Sequence, residues 1–204
     1  MNATALRLTV AALVAASWQV SAQQPQGERV RGTIEKLDGS VLAVKTSDGH
    51  AVRIKLTDDA RIVGVLKSSM ADIKPGSFIG SAATPQADGS QKSLEVHIFP
   101  EAMRGTGEGH RPYTIPDSTM TNGTVGAVGN AVAGVAGDTV TLKYKGGEKK
   151  MVIPAGVPIV RYEIGDRGDL KPGAAFTILS AVKKSDGTYE TNRVNVGRNG
   201  AVPQ

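Results

Sequence analysis

Apolar residues alternate with polar ones in short runs along most of the chain, which is the pattern of half-buried β-strands. The clearest runs, residues 29–34 and 52–56, place an apolar side chain at every second position. Pairs such as Asp38-Gly39 and Asp48-Gly49 follow these runs, and their glycines can adopt the positive φ of a tight turn. No stretch keeps a helical period for more than two turns. The sequence therefore predicts an all-β protein.

One five-residue pattern occurs twice and divides the chain into two similar units. Residues 72–76 read Asp-Ile-Lys-Pro-Gly, and residues 169–173 read Asp-Leu-Lys-Pro-Gly, 97 positions later. Val96 and Val194 are related by nearly the same shift. In each Lys-Pro-Gly the proline fixes φ and the glycine supplies a positive φ, which predicts a type II turn. The alternating runs predict five strands in each unit, and this turn comes before the fourth strand.

Five short strands joined by tight turns fit a small closed barrel of the OB type. A flat meander is the alternative, but it would expose sheet edges that carry few charges to block further pairing. We therefore expect two tandem OB-like five-stranded barrels, at residues 29–99 and 121–197. An ordered loop segment at residues 100–120 would join them, and residues 198–204 would form a loose tail.

The order of these motifs is similar to that of DUF5666, a bacterial family of small exported β-barrel modules. The resemblance rests on Gly-x-Ile/Val at the start of each unit, the Asp-Gly turns, and Asp-Ile/Leu-Lys-Pro-Gly before the fourth strand. It covers residues 29–99 and 121–197. The resemblance implies an exported β-barrel protein and brings no catalytic residues with it.

The first 22 residues have the three parts of a signal peptide. Arg7 supplies the positive charge, residues 8–16 are apolar, and Val20-Ser21-Ala22 offers the small residues of a cleavage site. An uncleaved anchor is the alternative, although the apolar run is short for a membrane span. We expect a periplasmic or secreted protein cleaved after Ala22, with residues 23–28 as a disordered lead and no transmembrane span in the mature chain.

Composition narrows the range of partners. The chain has no cysteine, so disulfides and thiolate metal sites are excluded. Its formal net charge is +5, and its lysines alternate with apolar residues or lie in turns, as on a solvated strand face. A patch for anionic lipid headgroups or polyanions is the alternative. No nucleic-acid partner is expected, because aromatic residues that could stack on bases are nearly absent from the lysine-rich runs.

Residues 100–120 contain histidine, methionine, tyrosine and paired charges, which a plain linker would not need. Because binding residues concentrate in loops held on a rigid scaffold, we predict a binding site here for an envelope protein or a glycan. The alternative is that Tyr113 and Ile115 only pack the two barrels together. The predicted contact residues are Glu108, His110, Arg111 and Tyr113.

The same region carries side chains that suit a metal, although no other cofactor is predicted. Histidine with methionine would suit copper, and histidine with glutamate would suit zinc. The spacing matches no established metal motif, and His97 is predicted to face solvent because Val96 and Ile98 face the core. The alternative function is therefore a periplasmic accessory protein that handles copper or zinc. Its predicted ligands are His97, Glu101, Met103, Glu108 and His110.

The sequence contains no complete motif for phosphate binding or for a serine nucleophile. Residues 105–109 are rich in glycine, but no helix and no Gly-Lys-Ser/Thr sequence follows them, as a phosphate-binding loop requires. No nucleophile-elbow sequence places a serine for attack with one of the three histidines. The sequence therefore predicts a non-catalytic binding or assembly module of the bacterial cell envelope.

Overall fold

The computed structural model describes residues 27–129 and 137–203, which confirm the predicted all-β class. These residues form twelve strands and three short 3₁₀ turns, at Met70–Asp72, Glu101–Met103 and Arg167–Asp169. None of them forms a helix that is long and apolar enough to cross a membrane. The predicted signal peptide and residues 23–26 of the predicted lead lie outside the described residues. The strands are β1 (Glu28–Asp38), β2 (Val41–Thr46), β3 (Ala51–Lys67), β4 (Phe78–Pro85), β5 (Gln91–Ile98), β6 (Gly109–Pro112), β7 (Thr119–Gly129), β8 (Asp138–Tyr144), β9 (Gly147–Ile153), β10 (Ile159–Ile164), β11 (Ala175–Lys183) and β12 (Tyr189–Gly197).

Five strands close into a barrel, which we call the outer barrel. Their order around the barrel is β1, β2, β3, β12 and β11, and β11 pairs back onto β1. Neighbours are antiparallel except for β3 and β12, which run parallel. Aliphatic side chains and Phe176 fill the interior. Leu42, Ile54 and Phe176 are completely or almost completely buried, so strands from both ends of the chain share one core.

The strands β4, β5, β7, β8 and β9 repeat this arrangement, and we call them the inner ring. In this ring β7 lies between β8 and β4, as β1 lies between β2 and β11 in the outer barrel. The ring is joined where β5 runs parallel to β9, at Gln91–Met151 and Lys92–Val152. Its core is separate from that of the outer barrel and includes Val96 and Leu142.

Two tandem barrels, one in residues 29–99 and one in residues 121–197, are not confirmed. The outer barrel takes β1–β3 from the first repeat and β11–β12 from the second, whereas the inner ring takes β4–β5 from the first and β7–β9 from the second. The length of β3 explains the exchange. Its 17 residues span roughly 55 Å at 3.3 Å per residue, so its second half extends beyond the outer barrel and delivers β4 elsewhere.

The repeated Lys-Pro-Gly turn connects the two repeats. Gly76 and Gly173 have φ values of 85° and 84°, which confirms the predicted positive φ. The Gly76 N–H donates to the carbonyl of Val125 at 2.8 Å, and the Gly173 N–H donates to the carbonyl of Ile34 at 2.8 Å. Each turn therefore binds the first strand of the other repeat, which fixes the strand exchange at both places.

A third apolar cluster lies where the outer barrel meets the inner ring, and we call this place the junction. There β10 pairs antiparallel with the second half of β3 and parallel with β5. The two partners β3 and β10 are equivalent parts of the two repeats, so the pairing is nearly symmetric: Val160 faces Lys67 and Ile164 faces Val63. The buried residues of the cluster are Val63, Val65, Phe78, Phe99, Val160 and Tyr162.

Residues 198–203 are packed rather than loose. The backbone N–H of Arg198 donates to the carbonyl of Val65 at 2.9 Å, and Ala201 is buried. The Thr177 hydroxyl donates to the carbonyl of Pro203 at 2.9 Å. The tail was predicted to be loose, but its backbone forms hydrogen bonds with strands of the outer barrel and lies against them.

Candidate functional site

The segment between the repeats is ordered and lies against the inner ring. It begins with the 3₁₀ turn, after which the Arg104 guanidinium donates to the carbonyl of Gly76 at 3.0 Å. Strand β6 then pairs antiparallel with the first residues of β7. The chain between these two strands closes a hairpin in which the Tyr113 N–H donates to the carbonyl of Ser118 at 3.0 Å. Part of the predicted loop is therefore a strand.

Glu108 and His110 are engaged by neighbouring parts of the inner ring. A Glu108 carboxylate oxygen accepts a hydrogen bond from the backbone N–H of Lys145 at 3.1 Å. The Nδ1 atom of His110 lies 2.8 Å from the hydroxyl of Thr121. Partial burial lowers the pKa of His110, and the charge of Lys149 lowers it further. Glu108 therefore anchors the chain before β6 to the turn after β8, and His110 anchors β6 to β7.

Arg111 and Tyr113, the other two predicted contact residues, point to different partners. The Arg111 guanidinium donates to the carbonyl of Gly107 at 2.7 Å and is otherwise exposed. The half-buried Tyr113 donates its hydroxyl to Glu95 at 3.3 Å. The four predicted contact residues therefore do not share one set of neighbours.

A buried polar cluster, formed by Glu95, His97, Tyr113 and Tyr162, joins the hairpin to the junction. The His97 Nε2 atom lies 3.4 Å from the Glu95 oxygen that Tyr113 also contacts. The His97 ring stacks on Tyr162 with 5.0 Å between centroids. His97 is only 7% exposed, so the prediction that it faces solvent was wrong. The reason is that β10 lies beside β5 and brings Tyr162 over this face of it.

Burial and neighbouring charges shift the pKa values of Glu95 and Tyr162 in this cluster. Burial alone would raise the pKa of Glu95, but the hydrogen bond and charge of His97, with the charge of Arg29, hold it below its ordinary value. Burial and the Glu95 charge raise the pKa of Tyr162 well above its ordinary value. Glu95 is therefore ionised and Tyr162 neutral at neutral pH, which suits a fixed structural contact.

The predicted metal ligands are not brought together. Glu101 pairs with Arg104, and Met103 packs against the apolar cluster of the junction. His97, Glu108 and His110 have the separate partners described above. Within residues 27–129 and 137–203, no group of three or more histidine and acidic side chains is arranged to hold a metal. The copper or zinc hypothesis gains no support from this geometry and stays a prediction.

A groove at the junction has the size of a ligand site. Its volume is about 530 Å³. Its walls are residues 60–63 of β3, three residues of the segment that connects the repeats (Ala102, Met103 and Thr106), Ile164 of β10 with the three residues after it, and Arg193 of β12. Small-molecule sites commonly have volumes of this order. Ile164 stands in the wall with 67% of its surface exposed, although large aliphatic side chains are usually buried.

The groove carries more positive than negative charge. Arg61 and Arg193 are partners in the ladder between β3 and β12, and Arg167 and Asp166 also line the groove. Among the described residues, neither Arg61 nor Arg193 forms an ion pair, and the Arg193 side chain bonds only to Asn195, at 3.3 Å. The groove therefore offers two guanidinium groups beside an exposed apolar side chain.

These groove residues were missed because the sequence separates them widely. Arg61 and Arg193 come from opposite repeats, and only the parallel pairing of β3 with β12 makes them neighbours. One difference between the two repeats in the sequence does point to the groove. Ile164 is the repeat equivalent of Lys67, so the second repeat places an apolar residue where the first has a charged one.

Comparison of the chain with protein-family models, with curated proteins and with solved structures gives no match. The resemblance to DUF5666 therefore rests on the sequence motifs alone and stays a prediction.

Proposed function

We propose that this protein is an exported, non-catalytic binding module of the bacterial cell envelope, and that the groove is its recognition site. The observation that supports this proposal is the combination of Arg61 and Arg193 with the exposed Ile164. A carboxylate gains charge-assisted hydrogen bonds from arginine, and an apolar contact beside it excludes water. The partner is a protein surface that presents an acidic side chain next to an apolar one.

The connecting segment takes part through a different set of residues from those predicted. Ala102, Met103 and Thr106 line the groove, whereas Glu108 and His110 seat β6 on the inner ring. The segment therefore supplies one wall of the site, and the arginines come from the outer barrel. Recognition at the boundary between the repeats remains the central feature of the proposal.

We also propose that both the outer barrel and the inner ring are barrels of the OB type. In each, the first strand lies between the second and the fourth, and the third runs parallel to the fifth. The fourth and fifth strands come from the other repeat in both cases. Such barrels serve as rigid scaffolds for binding surfaces.

The test is photo-crosslinking in the native envelope. A photoreactive amino acid at position 164 should form an adduct with a protein, whereas one at Val202 should not, because Val202 is similarly exposed but does not line the groove. Arg61→Glu should reduce the yield roughly tenfold or more, as expected when a charged hydrogen-bond partner is lost. Arg53→Glu is the matched control on the same strand, outside the groove.

Two results would contradict the proposal. One is an adduct of equal yield at positions 164 and 202, and the other is an adduct that Arg61→Glu leaves unchanged. Retention on an acidic polysaccharide that Arg61→Glu abolishes, without any protein adduct, would reassign the partner to a glycan.

A further inference from the structure

The outer barrel and the inner ring differ beside their first strands. Residues 119–122 of β7 pair with β6 on the side that faces β8. In the inner ring Thr124 pairs with Lys143, and in the outer barrel Thr33 pairs with Lys45, so Thr124 and Thr33 are equivalent positions of the two repeats. Counting back from them, residues 119–122 of β7 are equivalent to residues 28–31 of β1. Pairing of β1 with β2 begins only at Gly32, so residues 28–30 have no strand on that side within the described part of the chain.

A cavity of about 700 Å³ lies beside β1, where the described residues contain no counterpart of β6. It is lined by residues 28–31, by the turn at residues 46–50, and by Lys183 and Tyr189. We call this place the mouth of the outer barrel. The inner ring has the corresponding framework, but there the neighbouring strand β6 is in place.

One pair of hydrogen bonds shows that the two frameworks correspond. In the outer barrel the Tyr189 hydroxyl donates to Glu28 at 2.9 Å. In the inner ring the Thr119 hydroxyl donates to the Gln91 side-chain oxygen at 3.0 Å. Thr119 is the repeat equivalent of Glu28, and Gln91 is the equivalent of Tyr189. Among residues 27–129 and 137–203, the lack of a strand at the mouth is therefore a local difference between two similar structures.

The backbone at the mouth is oriented for pairing. The Arg31 carbonyl accepts from the Ser47 N–H at 2.9 Å, so the backbone groups of Arg31 face β2. Because backbone groups alternate in direction along an antiparallel strand, those of Arg29 face the same way, into the mouth. The inner-ring equivalent of Arg29 is Met120, which lies opposite Arg111 of β6. An extended chain could therefore pair with Arg29 as β6 pairs with Met120.

The charges at the mouth select the chemistry of that chain. Arg29, Arg31 and Lys183 line it, with Glu28 and Asp48 as the acidic residues. The three basic side chains exceed the two carboxylates by one positive charge. The remaining positive charge favours an incoming strand that carries carboxylates.

We propose that the mouth of the outer barrel is a second docking site, which receives an extended acidic segment of a partner protein. The segment adds to β1 as an antiparallel strand, in the position that β6 occupies on β7. Strand addition of this kind takes affinity from backbone hydrogen bonds and specificity from side chains. The site is independent of the groove at the junction, so it goes beyond the function proposed above.

The test is an NMR titration of the full chain with a synthetic octapeptide of alternating glutamate and valine. Amide shifts should be confined to residues 27–31 and 46–50. A peptide of alternating lysine and valine should bind at least tenfold more weakly. Arg61→Glu, which alters only the groove, should leave the titration unchanged.

Two variants of one residue separate backbone pairing from charge. Arg29→Pro removes the N–H that faces the mouth and should abolish binding, whereas Arg29→Ala keeps it and should weaken binding only several-fold. If Arg29→Pro fails to fold, His50→Trp fills the mouth from an exposed turn and should also abolish binding. Unchanged binding by the folded blocking variant, or shifts that map elsewhere, would overturn the proposal.

Two other occupants would be recognised by the same titration. If the peptide shifts these amides only when the chain begins at residue 27, the occupant is the chain's own N-terminal segment. If the free protein sediments as a dimer that the peptide dissociates, the occupant is a second copy. Either result would overturn the assignment to a separate partner protein.

Discussion

Arg198 holds its position because residue 64 has no side chain. Its Nε and Nη2 atoms bind Asp169 at 2.8 and 2.6 Å, and its Nη1 atom binds Glu163 at 2.8 Å. A Cβ added to Gly64 would lie 2.7 Å from the guanidinium carbon. One glycine therefore allows a half-buried arginine to connect the C-terminal residues with β10 and with the 3₁₀ turn before β11.

Gly64→Ala should destabilise the protein by about 1–3 kcal/mol, because the added methyl group displaces the guanidinium from its two carboxylates. Urea unfolding measures this change. Gly126→Ala is the control, since its Cβ would meet only the flexible end of Lys143. In an Arg198→Ala background the cost of Gly64→Ala should shrink, and strict additivity of the two substitutions would contradict this account.

Glu95 predicts a pH dependence of stability. Its folded-state pKa lies below the ordinary value of 4.5, so the unfolded chain binds its proton first as the pH falls. The stability that Glu95 provides is therefore present above pH 4.5 and is lost below it, towards the folded-state pKa. Glu95→Gln should be less stable at pH 7 and should lose less stability on acidification.

The measurement is the free energy of unfolding in urea at several pH values between about 3 and 7. Glu35→Gln is the matched control, because Glu35 is exposed on β1. The two variants should differ in the slope below pH 4.5. Equal slopes for Glu95→Gln and the unaltered protein would show that Glu95 has no such role.

At the scale of elements, a side-chain contact holds the tip of the hairpin formed by β6 and the start of β7. Tyr113 reaches from the hairpin to Glu95 on β5, while residues 109–112 pair only with β7. A four-residue strand with one neighbour has few backbone hydrogen bonds to hold it. The tip contact should therefore control how often β6 opens.

Tyr113→Ala should increase hydrogen exchange at the β6 amides much more than at those of β8, because it frees the tip without removing a core residue. Tyr113→Phe keeps the ring and should show a smaller increase. Hydrogen exchange read by mass spectrometry measures both variants. Equal acceleration in β6 and β8 would mean that the tyrosine supports the whole inner ring.

The elements themselves were largely predictable, but their partners were not. The Asp-Gly turns and the Lys-Pro-Gly turns encode local backbone conformation, and Gly39, Gly76 and Gly173 adopt the expected positive φ. Pairing depends on residues about a hundred positions apart, which alternation along one strand does not reveal. His97 was misplaced for this reason, since alternation marks one buried face and β10 covers the other.

At the scale of the whole molecule, one unit is nested within the other. The inner ring is continuous in sequence, from residue 78 to residue 153, whereas the outer barrel is assembled from residues 28–67 and 175–197. The sequence repeat suggested domain boundaries at residues 99 and 121. Both the outer barrel and the inner ring take strands from either side of these boundaries. Sequence similarity marks the repeated motif, but the exchange of strand pairs decides which segments share a core.

A fragment of residues 77–157 should therefore fold alone, because it contains every strand of the inner ring. A fragment of residues 27–99 contains a complete repeat but no complete ring, and it should show no cooperative transition. Circular dichroism during heating distinguishes the two. Cooperative melting of residues 27–99 as a monomer would show that one repeat suffices for a barrel.

The nesting also determines when each part can fold during synthesis. Strands β1–β3 are made first, but their barrel lacks its last partner until residue 197 has been added, whereas the inner ring is complete at residue 153. At elongation rates of about 5–20 residues per second, the first three strands wait for roughly 6–26 s. The part of the protein that is begun first is thus finished last, and the apolar faces of its first three strands stay uncovered by their final partners during that interval.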